Sequence, residues 1–543
     1  MKRIIKVNFF LLIICFIGYQ FSKAETSPKT IGPRTTKIHE SSYSNIFFVS
    51  SKNGFDQRGN GSKEQPWQTI QFALSQIRDA SSTNRYAICV AEGTYTGNTI
   101  VMKPYIDLYG GFDVTDWQRD IYKYPSVLSG NGKRRVIIGA DSSRLDGFIV
   151  SKGIVRGKGG GMYCDGVSPT ITNNIFTRNK TLAPIPWKPK YRHEIANDGG
   201  AIYCQNDGSP VIENNLFIDN ATEVGRGAGI AFYSRCTGRI ANNVFLYNKA
   251  GLSDPLRSSD GGAISIFNWS SPVIENNVIL ANKALAKNDG GGIFAALWCS
   301  PEIKGNIIVG NFCGDDGGGL FIGGQEHRYN GHWDPIPNEK DFYVRITNNV
   351  IIGNNGAVEF TMESRGLFAN NIIAHNGGTG IYPAGVYFKR SEANIVNNTI
   401  FDPFLLDFSV FDGKEKTEGL KPSTIKNNRI WGCFELEADA VVIDNFIKDV
   451  PEGQPDKSPE ILNDWIGIKA DAVFYNKRFN KQIFTTKLFV SEGEYRPDEL
   501  VNRVIKAGNK WGVVKSNDRQ TIEVWGELTG KISFLILPTY CLK

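Results

Sequence analysis

Several basic side chains in this 543-residue sequence are of the types that can take a proton from a carbon atom. Lys389 and Arg365 lie near one another in the chain, and His327 precedes them in a long insertion. Elimination beside a carboxylate needs a cation that neutralises the carboxylate and a Lys, Arg or His that accepts the proton. Lys389 and Arg365, which we expect on the glycine-marked strands described below, fit these roles by type, and His327 is a further candidate base. The alternative is a solvated charge patch.

Two glutamates in the same region do not have the spacing of a hydrolytic pair. Glu359 and Glu363 are four strand residues apart, which corresponds to roughly 13 Å. Glycosidase carboxyls lie about 5 Å apart in retaining enzymes and about 6.5–9.5 Å apart in inverting ones. This spacing argues against hydrolysis by this pair, and we assign Glu359 to ligand binding.

A column of aspartates precedes pairs of glycines in successive repeats. Asp260, Asp289 and Asp316 occupy the equivalent position in three of them. Stacked carboxylates about 4.8 Å apart repel one another unless they are well solvated or share a cation. Ca²⁺ takes such oxygen ligands, so the three residues are candidate calcium ligands. The alternative is that Asp before Gly-Gly only provides favourable turn chemistry.

An aromatic strip accompanies this column. Sorting the glycine-marked strands into inward and outward positions places five aromatic residues in the column that also holds Glu359: Tyr163, Tyr203, Phe294, Phe321 and Tyr387. Sugar rings stack on aromatic faces, so the strip could bind a glycan; alternatively, long loops bury it. Two insertions, 181–197 and 324–341, frame this face. They supply four further candidate contacts, Trp187, Arg192, Arg328 and Trp333.

These residues are set in an internal repeat that predicts how they are positioned. Each copy has a short β-branched run, an Asn-Asn turn, a second apolar run and another Asn, as in SPVIENNLFIDN and SPVIENNVILAN. A third strand, marked by glycines, follows in segments such as GGAIYC and GGGLFI. Three short strands per repeat are typical of one coil of a parallel β-helix. No segment has the 3.6-residue periodicity of helical repeats.

Asparagines recur in two columns that are five residues apart. The first is Asn174, Asn215, Asn243, Asn277, Asn306, Asn349, Asn371, Asn398 and Asn428, and the second is Asn179, Asn220, Asn248, Asn282, Asn311, Asn354 and Asn376. Asn tolerates the left-handed backbone conformation, and its amide both donates and accepts hydrogen bonds. Stacked copies therefore predict two hydrogen-bonded ladders with a structural role.

The chain resembles secreted right-handed parallel β-helix proteins of the pectate-lyase-like superfamily over roughly residues 45–440. The opening FFVSSKNGFDQRGNGSKEQPWQTIQFALSQI carries the resemblance, and its PW-x-TIQ-x-A run starts a short capping helix in that group. The resemblance implies an all-β, right-handed parallel β-helix with an N-terminal capping helix. It implies no single activity, since the superfamily includes lyases, hydrolases, epimerases and proteins with no known catalysis. Gly314-Asp315-Asp316 resembles a hydrolase motif of the group, but it is one copy of the repeated Asp-Gly-Gly.

Four segments organise the chain. Residues 1–24 have the basic start, short apolar run and small-residue end of a cleavable signal peptide. An uncleaved membrane anchor is the alternative, but the apolar run is shorter than a membrane-spanning helix requires. Residues 25–44 are a polar linker, and 45–450 form the solenoid. Alternating strands in 451–543 predict a small β module that covers the open end of the solenoid, with a separate carbohydrate-binding role as the alternative.

The charge argues against nucleic acid as a partner, and the cysteine spacing argues against a metal site. The net charge of +6 is mild, and no basic run typical of nucleic-acid binders occurs. No stretch after the signal peptide could span a membrane. The cysteines lack metal-binding spacing. We expect Cys164 and Cys204 to stack in the core as thiols, with a disulfide as the alternative.

We therefore expect an exported monomer, whether secreted, periplasmic or on the cell surface, whose partner is a polysaccharide. The first hypothesis is a lyase that cleaves a uronate-containing glycan by β-elimination, with Ca²⁺ as its one candidate cofactor. The second is a non-catalytic surface protein that binds glycans. Aromatic and basic loops favour the enzyme, whereas no complete catalytic motif of the superfamily fits these residues.

Overall fold

The structure is a computed structural model that describes residues 31–537 except for the internal segments 184–196, 255–258, 325–339, 378–384, 408–419, 438, 450–465, 479–480, 491–494 and 531–532. Within these residues the chain winds into a solenoid of three long parallel sheets, and each coil contributes one strand to each sheet. This architecture confirms the predicted parallel β-helix. None of the described helices combines the length and the apolar character that membrane spanning requires.

Sheet 1 contains the strands that precede the Asn-Asn turns, and sheet 2 contains the strands that follow them. Sheet 1 has 14 strands: Asn45–Val49, Tyr86–Ala91, Ile106–Phe112, Arg144–Asp146, Thr170–Thr172, Val211–Glu213, Arg239–Ala241, Val273–Glu275, Glu302–Lys304, Val344–Thr347, Arg365–Ala369, Glu392–Val396, Ser423–Lys426 and Ala440–Ile443. Sheet 2 has 13 strands: Gly93–Tyr95, Ser126–Ser129, Phe148–Ser151, Ile175–Thr177, Leu216–Ile218, Val244–Leu246, Val278–Leu280, Ile307–Val309, Val350–Ile352, Ile372–Ala374, Thr399–Ile400, Arg429–Gly432 and Phe446–Asp449.

Sheet 3 is formed by the glycine-marked strands. Its 12 strands are Ile100–Val101, Ile137–Ile138, Met162–Asp165, Ile202–Gln205, Ile230–Tyr233, Ile264–Phe267, Ile293–Ala296, Leu320–Gly323, Val358–Thr361, Val386–Lys389, Phe404–Asp407 and Phe434–Leu436. A short six-stranded ladder lies between sheets 2 and 3 and consists of Ile154–Val155, Lys180–Thr181, Ala221–Thr222, Lys249–Ala250, Lys283–Ala284 and Phe312–Cys313.

A helix, α1 (Ile70–Gln76), closes the N-terminal end of the solenoid, as the resemblance implies. The hydroxyl of Thr69 caps the helix by accepting a hydrogen bond from the backbone N–H of Phe72 at 3.2 Å. Ile70, Ala73 and Leu74 are buried in the same core cluster as the first coils. A single turn of 3₁₀ helix, Glu40–Ser42, precedes the first strand.

The asparagine ladders form as the sequence predicts. Asn277, for example, accepts hydrogen bonds from the backbone and side-chain nitrogens of Asn243 at 2.9 and 3.1 Å, and its own amide donates to Asn306 at 2.9 Å. The left-handed conformation belongs to the other member of each pair: Asn276 has a φ of 54°. The first Asn therefore makes the turn, and the second stacks.

The interior of sheet 3 confirms the predicted register. Met162 pairs with Ile202, and Cys164 pairs with Cys204, in adjacent strands. All four side chains are buried in the main core cluster. Both cysteines carry free thiols, which is the favoured alternative of the sequence analysis.

The C-terminal module does not lie where the sequence predicts. Its seven antiparallel strands, in spatial order, are Ile466–Lys469, Ser533–Ile536, Val504–Ala507, Lys510–Asn517, Thr521–Trp525, Lys481–Phe489 and Ala472–Arg478. Val504, Val513 and Trp525 pack on the outer face of sheet 2 in one cluster with Val244 and Val278. Expecting this module to cover the open end was wrong, because the outward side chains of sheet 2 are themselves apolar and need a cover.

The segment that precedes the solenoid is also packed rather than free. The backbone N–H of Gly32 donates to the carbonyl of Asn242 at 3.0 Å, and Tyr122 donates to the carbonyl of Pro33 at 2.6 Å. Arg119 donates to the carbonyl of Thr36 at 2.8 Å. The described part of the predicted linker is therefore a strap held against the solenoid.

Candidate functional site

Four carboxyl groups gather at the edge where the glycine-marked turns enter sheet 3. Asp289 precedes the strand Ile293–Ala296, and Asp315 and Asp316 precede the next strand, Leu320–Gly323. One carboxylate oxygen from each of these three aspartates lies within 4.8 Å of the others. Glu359 joins them from the following coil, as the outward residue of the strand Val358–Thr361, where it is 6% exposed.

Burial and mutual repulsion hold protons on this cluster. Burial, followed by repulsion from Asp316, raises the pKa of Glu359 well above its ordinary value, and Lys389 opposes the shift. Burial, followed by repulsion from Asp315, raises the pKa of Asp316 to about 6. Burial and the neighbouring aspartates also raise the pKa of Asp289. A proton or a cation is therefore needed to offset the accumulated negative charge.

The aspartate column also has the turn role that was the alternative interpretation. The carboxylate of Asp260 accepts a hydrogen bond from the backbone N–H of Asp289 at 3.0 Å, and Asp289 accepts one from Asp316 at 3.1 Å. Each carboxylate thus holds the turn of the next coil. Among the described residues, the group close enough to share a cation comprises Asp289, Asp315 and Asp316 but not Asp260.

The two predicted catalytic residues that the structure describes, Lys389 and Arg365, lie on different sheets. Lys389 ends a strand of sheet 3, is 8% exposed, and its ammonium lies 5.7 Å from the ring centre of Tyr387. Its charge lowers the pKa of both Asp316 and Glu359, so it faces the carboxyl cluster. Arg365 begins a strand of sheet 1 and forms an ion pair with Glu392 at 3.0 Å, so it is not on sheet 3 as we expected.

Several predicted contacts lie outside the described residues. They are His327, Arg328 and Trp333 in one insertion and Trp187 and Arg192 in the other. The roles proposed for these five residues therefore remain predictions.

The aromatic strip is mostly buried. Phe294 and Phe321 stack with ring centres 5.2 Å apart and are 1% and 2% exposed. Tyr203 and Tyr387 are also buried, and Tyr163 alone among the five is partly exposed. Burial was the alternative to an open glycan platform. The rings form a rigid apolar floor beside the carboxyl cluster.

Tyr163 and Tyr203 form a polar network at the other end of the strip. Their rings stack with centres 5.9 Å apart, and Lys158 donates to the Tyr203 hydroxyl at 2.9 Å. Gln205 donates to the hydroxyl of Tyr163 at 2.8 Å. The guanidinium of Arg135 lies 4.7 Å from the ring centre of Tyr163, so both Arg135 and Tyr203 pack on this ring, and its role as a sugar contact remains a prediction.

Sequence reasoning missed Asp315 and the pairing of Asp316 with Glu359. The 42 residues between Asp316 and Glu359 include a long insertion, so no sequence spacing links them. The signal was Gly314-Asp315-Asp316, which departs from the other repeats by a second acid. Glu363 does not contribute to the pair of Asp316 and Glu359, since it lies beyond the strand Val358–Thr361 and forms an ion pair with Arg390 at 3.5 Å.

A match to a family model supports the fold. Residues 127–308 match the family model described as a right-handed beta helix region, which confirms the handedness implied by the resemblance. The GH136 lacto-N-biosidase from Eubacterium ramulus is 10% identical over 75% of this chain and 68% of that chain, with a TM-score of 0.38. Pectate lyase Pel9A is 14% identical over 85% of this chain and 91% of that chain, with a TM-score of 0.34.

A third solved structure, a phage protein, has a similarly low identity to this chain. The tailspike of E. coli bacteriophage HK620, solved in complex with a pentasaccharide, is 10% identical over 90% of this chain and 93% of that chain, with a TM-score of 0.27. None of the curated proteins matches the sequence. These distant similarities assign no activity, so the chemistry has to be argued from the site itself.

Proposed function

We propose that this protein acts on an acidic polysaccharide and cleaves it by β-elimination at the outward edge of sheet 3. One observation carries the proposal: three aspartate oxygens lie within 4.8 Å of one another, beside buried Glu359 and Lys389. The cluster offers acid, base and cation-binding groups on one rigid surface.

The donor set fits Ca²⁺. Ca²⁺ binds carboxylate oxygens at about 2.3–2.6 Å, so two ligands of one ion are at most about 5 Å apart. Asp289, Asp315 and Asp316 meet this limit and would hold the ion. Bound there, Ca²⁺ supplies positive charge that offsets the aspartates and a uronate carboxylate of the substrate.

The remaining steps belong to the side chains of this protein. In β-elimination a base takes the proton next to the sugar carboxylate, a carbon–carbon double bond forms, and the bond to the leaving sugar oxygen breaks. We assign to Lys389 Nζ the role of accepting that proton. Glu359, whose pKa is raised by burial, keeps a proton that it can donate to the leaving oxygen. The buried aromatic floor excludes water from this side of the site.

Export follows as part of the same proposal. The N-terminal segment predicts a signal peptide, and acidic glycans of envelopes and extracellular matrices lie beyond the membrane. We therefore propose a secreted, periplasmic or surface location and a polysaccharide partner. A non-catalytic glycan-binding surface protein is the alternative outcome of the test.

The test follows the unsaturated-uronate absorbance while the protein meets oligosaccharides of galacturonate, guluronate and glucuronate. We expect absorbance to rise with one of them in Ca²⁺ and to stop when a chelator is added. Lys389→Ala should lower the rate at least about 100-fold, the usual contribution of a catalytic base. Lys421→Ala, which removes an exposed lysine, is the matched control. New reducing ends without a rise in the unsaturated-uronate absorbance would indicate hydrolysis instead of elimination. The absence of any cleavage would refute the proposed activity.

A further inference from the structure

The C-terminal end of the solenoid exposes a cross-section of its hydrophobic core. Val442 stacks on Ile425 in sheet 1, and Leu436 stacks on Leu406 in sheet 3. Ile425 and Leu406 are fully buried, whereas Val442 is 44% exposed and Leu436 is 38% exposed. At the N-terminal end, by contrast, α1 covers the first coils. The last coil therefore leaves inward-pointing apolar side chains in contact with water.

The last coil also ends in a free strand edge. Ala440–Ile443 is the outermost strand of sheet 1, and within the described part of the chain it pairs on one side, with Ser423–Lys426. Its outward side chains, Val441 and Ile443, are exposed as well. Five of the eleven large apolar side chains that are exposed among the described residues lie in 436–446, so they form a patch rather than a scatter. An exposed edge of β-branched apolar residues is a template to which another strand can add.

The charges around this edge are negative, although the whole chain carries a net charge of +6. Residues 434–448 contain four exposed carboxylates, Glu435, Glu437, Asp439 and Asp444, and one exposed ammonium, Lys448. Asp439 and Asp444 lie immediately before and after the edge strand. Their carboxylates form no ion pair or hydrogen bond with a described residue. Charge complementarity therefore favours a strand with basic residues at both ends.

A second copy of this chain is a poor match for the same edge. When Ala440–Ile443 pairs with itself in a centred antiparallel register about a two-fold axis, Asp439 of one copy lies opposite Asp444 of the other. The same opposition occurs at both ends of the paired strands, and like charges directly opposite one another destabilise a sheet. The carboxylates that flank the edge therefore oppose self-association at neutral pH.

From these features we infer that the last coil binds an extended segment of another protein, apolar in its centre and basic at both ends, as an added strand of sheet 1. The backbone of the segment pairs with the free edge of Ala440–Ile443, and its apolar side chains cover Val442. Asp439 and Asp444 pair with its basic ends. The inference does not rest on the proposed β-elimination, since no residue of that site belongs to this coil.

The test measures the binding of a fluorescent peptide to the purified protein by anisotropy at low ionic strength. The peptide alternates valine and threonine and carries two lysines at each end. We expect it to bind, and we expect the same peptide with glutamates at its ends to bind at least about tenfold more weakly. A version with N-methylated backbone amides should not bind, because it lacks the N–H groups that an added strand donates.

Charge reversal separates this pairing from nonspecific attraction. Asp439→Lys/Asp444→Lys should exchange the preference, so that the glutamate-ended peptide binds better than the lysine-ended one. Glu40→Lys/Glu64→Lys reverses two exposed acids near the capped end of the solenoid and should leave the preference unchanged. Because all four side chains are exposed, both variants should keep the melting temperature of the wild-type protein.

The inference is overturned if neither peptide binds, if the N-methylated peptide binds equally well, or if the reversal at Asp439 and Asp444 leaves the preference unchanged. Sedimentation velocity at pH 7.5 examines the competing occupant. A wild-type dimer that dissociates on Val442→Asp would assign the edge to a second copy and would also overturn the inference. Each of these outcomes is independent of whether the protein cleaves glycans.

Discussion

The carboxyl cluster should make the protein less stable at neutral pH than it would be without Asp316. The pKa of Asp316 is raised from 3.8 to about 6. That difference corresponds to about 3 kcal/mol of unfavourable interaction with the ionised carboxylate. Asp316→Asn removes the charge and can still hydrogen-bond to Glu359. In calcium-free buffer at pH 7.5, we expect this substitution to raise the free energy of unfolding by about 1–3 kcal/mol.

The pH dependence has a defined sign. The folded protein holds the proton of the Asp316 carboxyl more tightly than the unfolded chain does. Protonation of Asp316 therefore stabilises the fold fully below pH about 4, and this stabilisation is lost as the pH rises through about 6. Wild type and Asp316→Asn should therefore have similar stability at pH 3.5 and diverge up to pH 7. Denaturant unfolding across this range, with a chelator present, measures the difference.

The matched control is Asp439→Asn, which removes an exposed carboxylate near the other end of the solenoid. It should change the free energy of unfolding by less than about 0.5 kcal/mol at every pH. Equal stability of wild type and Asp316→Asn at pH 7.5, or a less stable variant, would show that Asp316 does not lie in a repulsive cluster.

Three further predictions test the scaffold. Gly353→Ala should lower the free energy of unfolding by about 2–4 kcal/mol and make the C-terminal module more sensitive to limited proteolysis. The reason is that φ of Gly353 is +68° and an added Cβ would lie 2.3 Å from the Trp511 ring. Gly377→Ala, with open space around it, is the control, and equal effects of the two substitutions would contradict the packing of Trp511 against Gly353. Asn277→Ala should lower the free energy of unfolding by about 1–3 kcal/mol for each buried group left without a hydrogen bond, and should speed hydrogen exchange in the neighbouring coils. Unchanged hydrogen exchange there would contradict the asparagine ladder. The thiol of Cys204, buried and with a raised pKa, should resist alkylation until the protein unfolds, and fast labelling of the native protein would refute its burial.

The fold was largely predictable because every coil repeats the same local chemistry. Asn215 and Asn243 could be assigned to one ladder from sequence alone, since each follows another Asn and precedes an apolar run. The inward register of sheet 3 followed in the same way from the alternation of Met162 and Cys164. Repetition makes many weak local signals agree, so the sequence specifies the coil even where the coil length varies.

The site was less predictable because it depends on contacts between coils of unequal length. Asp316 and Glu359 come from adjacent coils that a long insertion separates in sequence, and the repeated Asp-Gly-Gly pattern hid the extra acid at Asp315. Arg365 was misplaced because the sheet 3 strand ends four residues earlier, at Thr361, and a new strand of sheet 1 begins.

The position of the C-terminal module was missed for a similar reason. Trp511 fits against Gly310 and Gly353, which carry no side chain to oppose it. No repeat encodes that contact. A usable signal was nevertheless present in sheet 2, where strands such as Leu216–Ile218 are apolar at outward as well as inward positions and therefore require a cover on both sides.

Calcium binding tests the central claim most directly, since the proposed chemistry depends on a cation site at Asp289, Asp315 and Asp316. Calorimetric titration of Ca²⁺ at pH 7.5 should show about one ion bound per molecule, and the heat should disappear in Asp316→Asn but not in Asp439→Asn. At pH 5 protonation of Asp316, whose pKa is about 6, should weaken the apparent affinity about tenfold. Binding that survives Asp316→Asn, or no binding by the wild-type protein, would contradict the account.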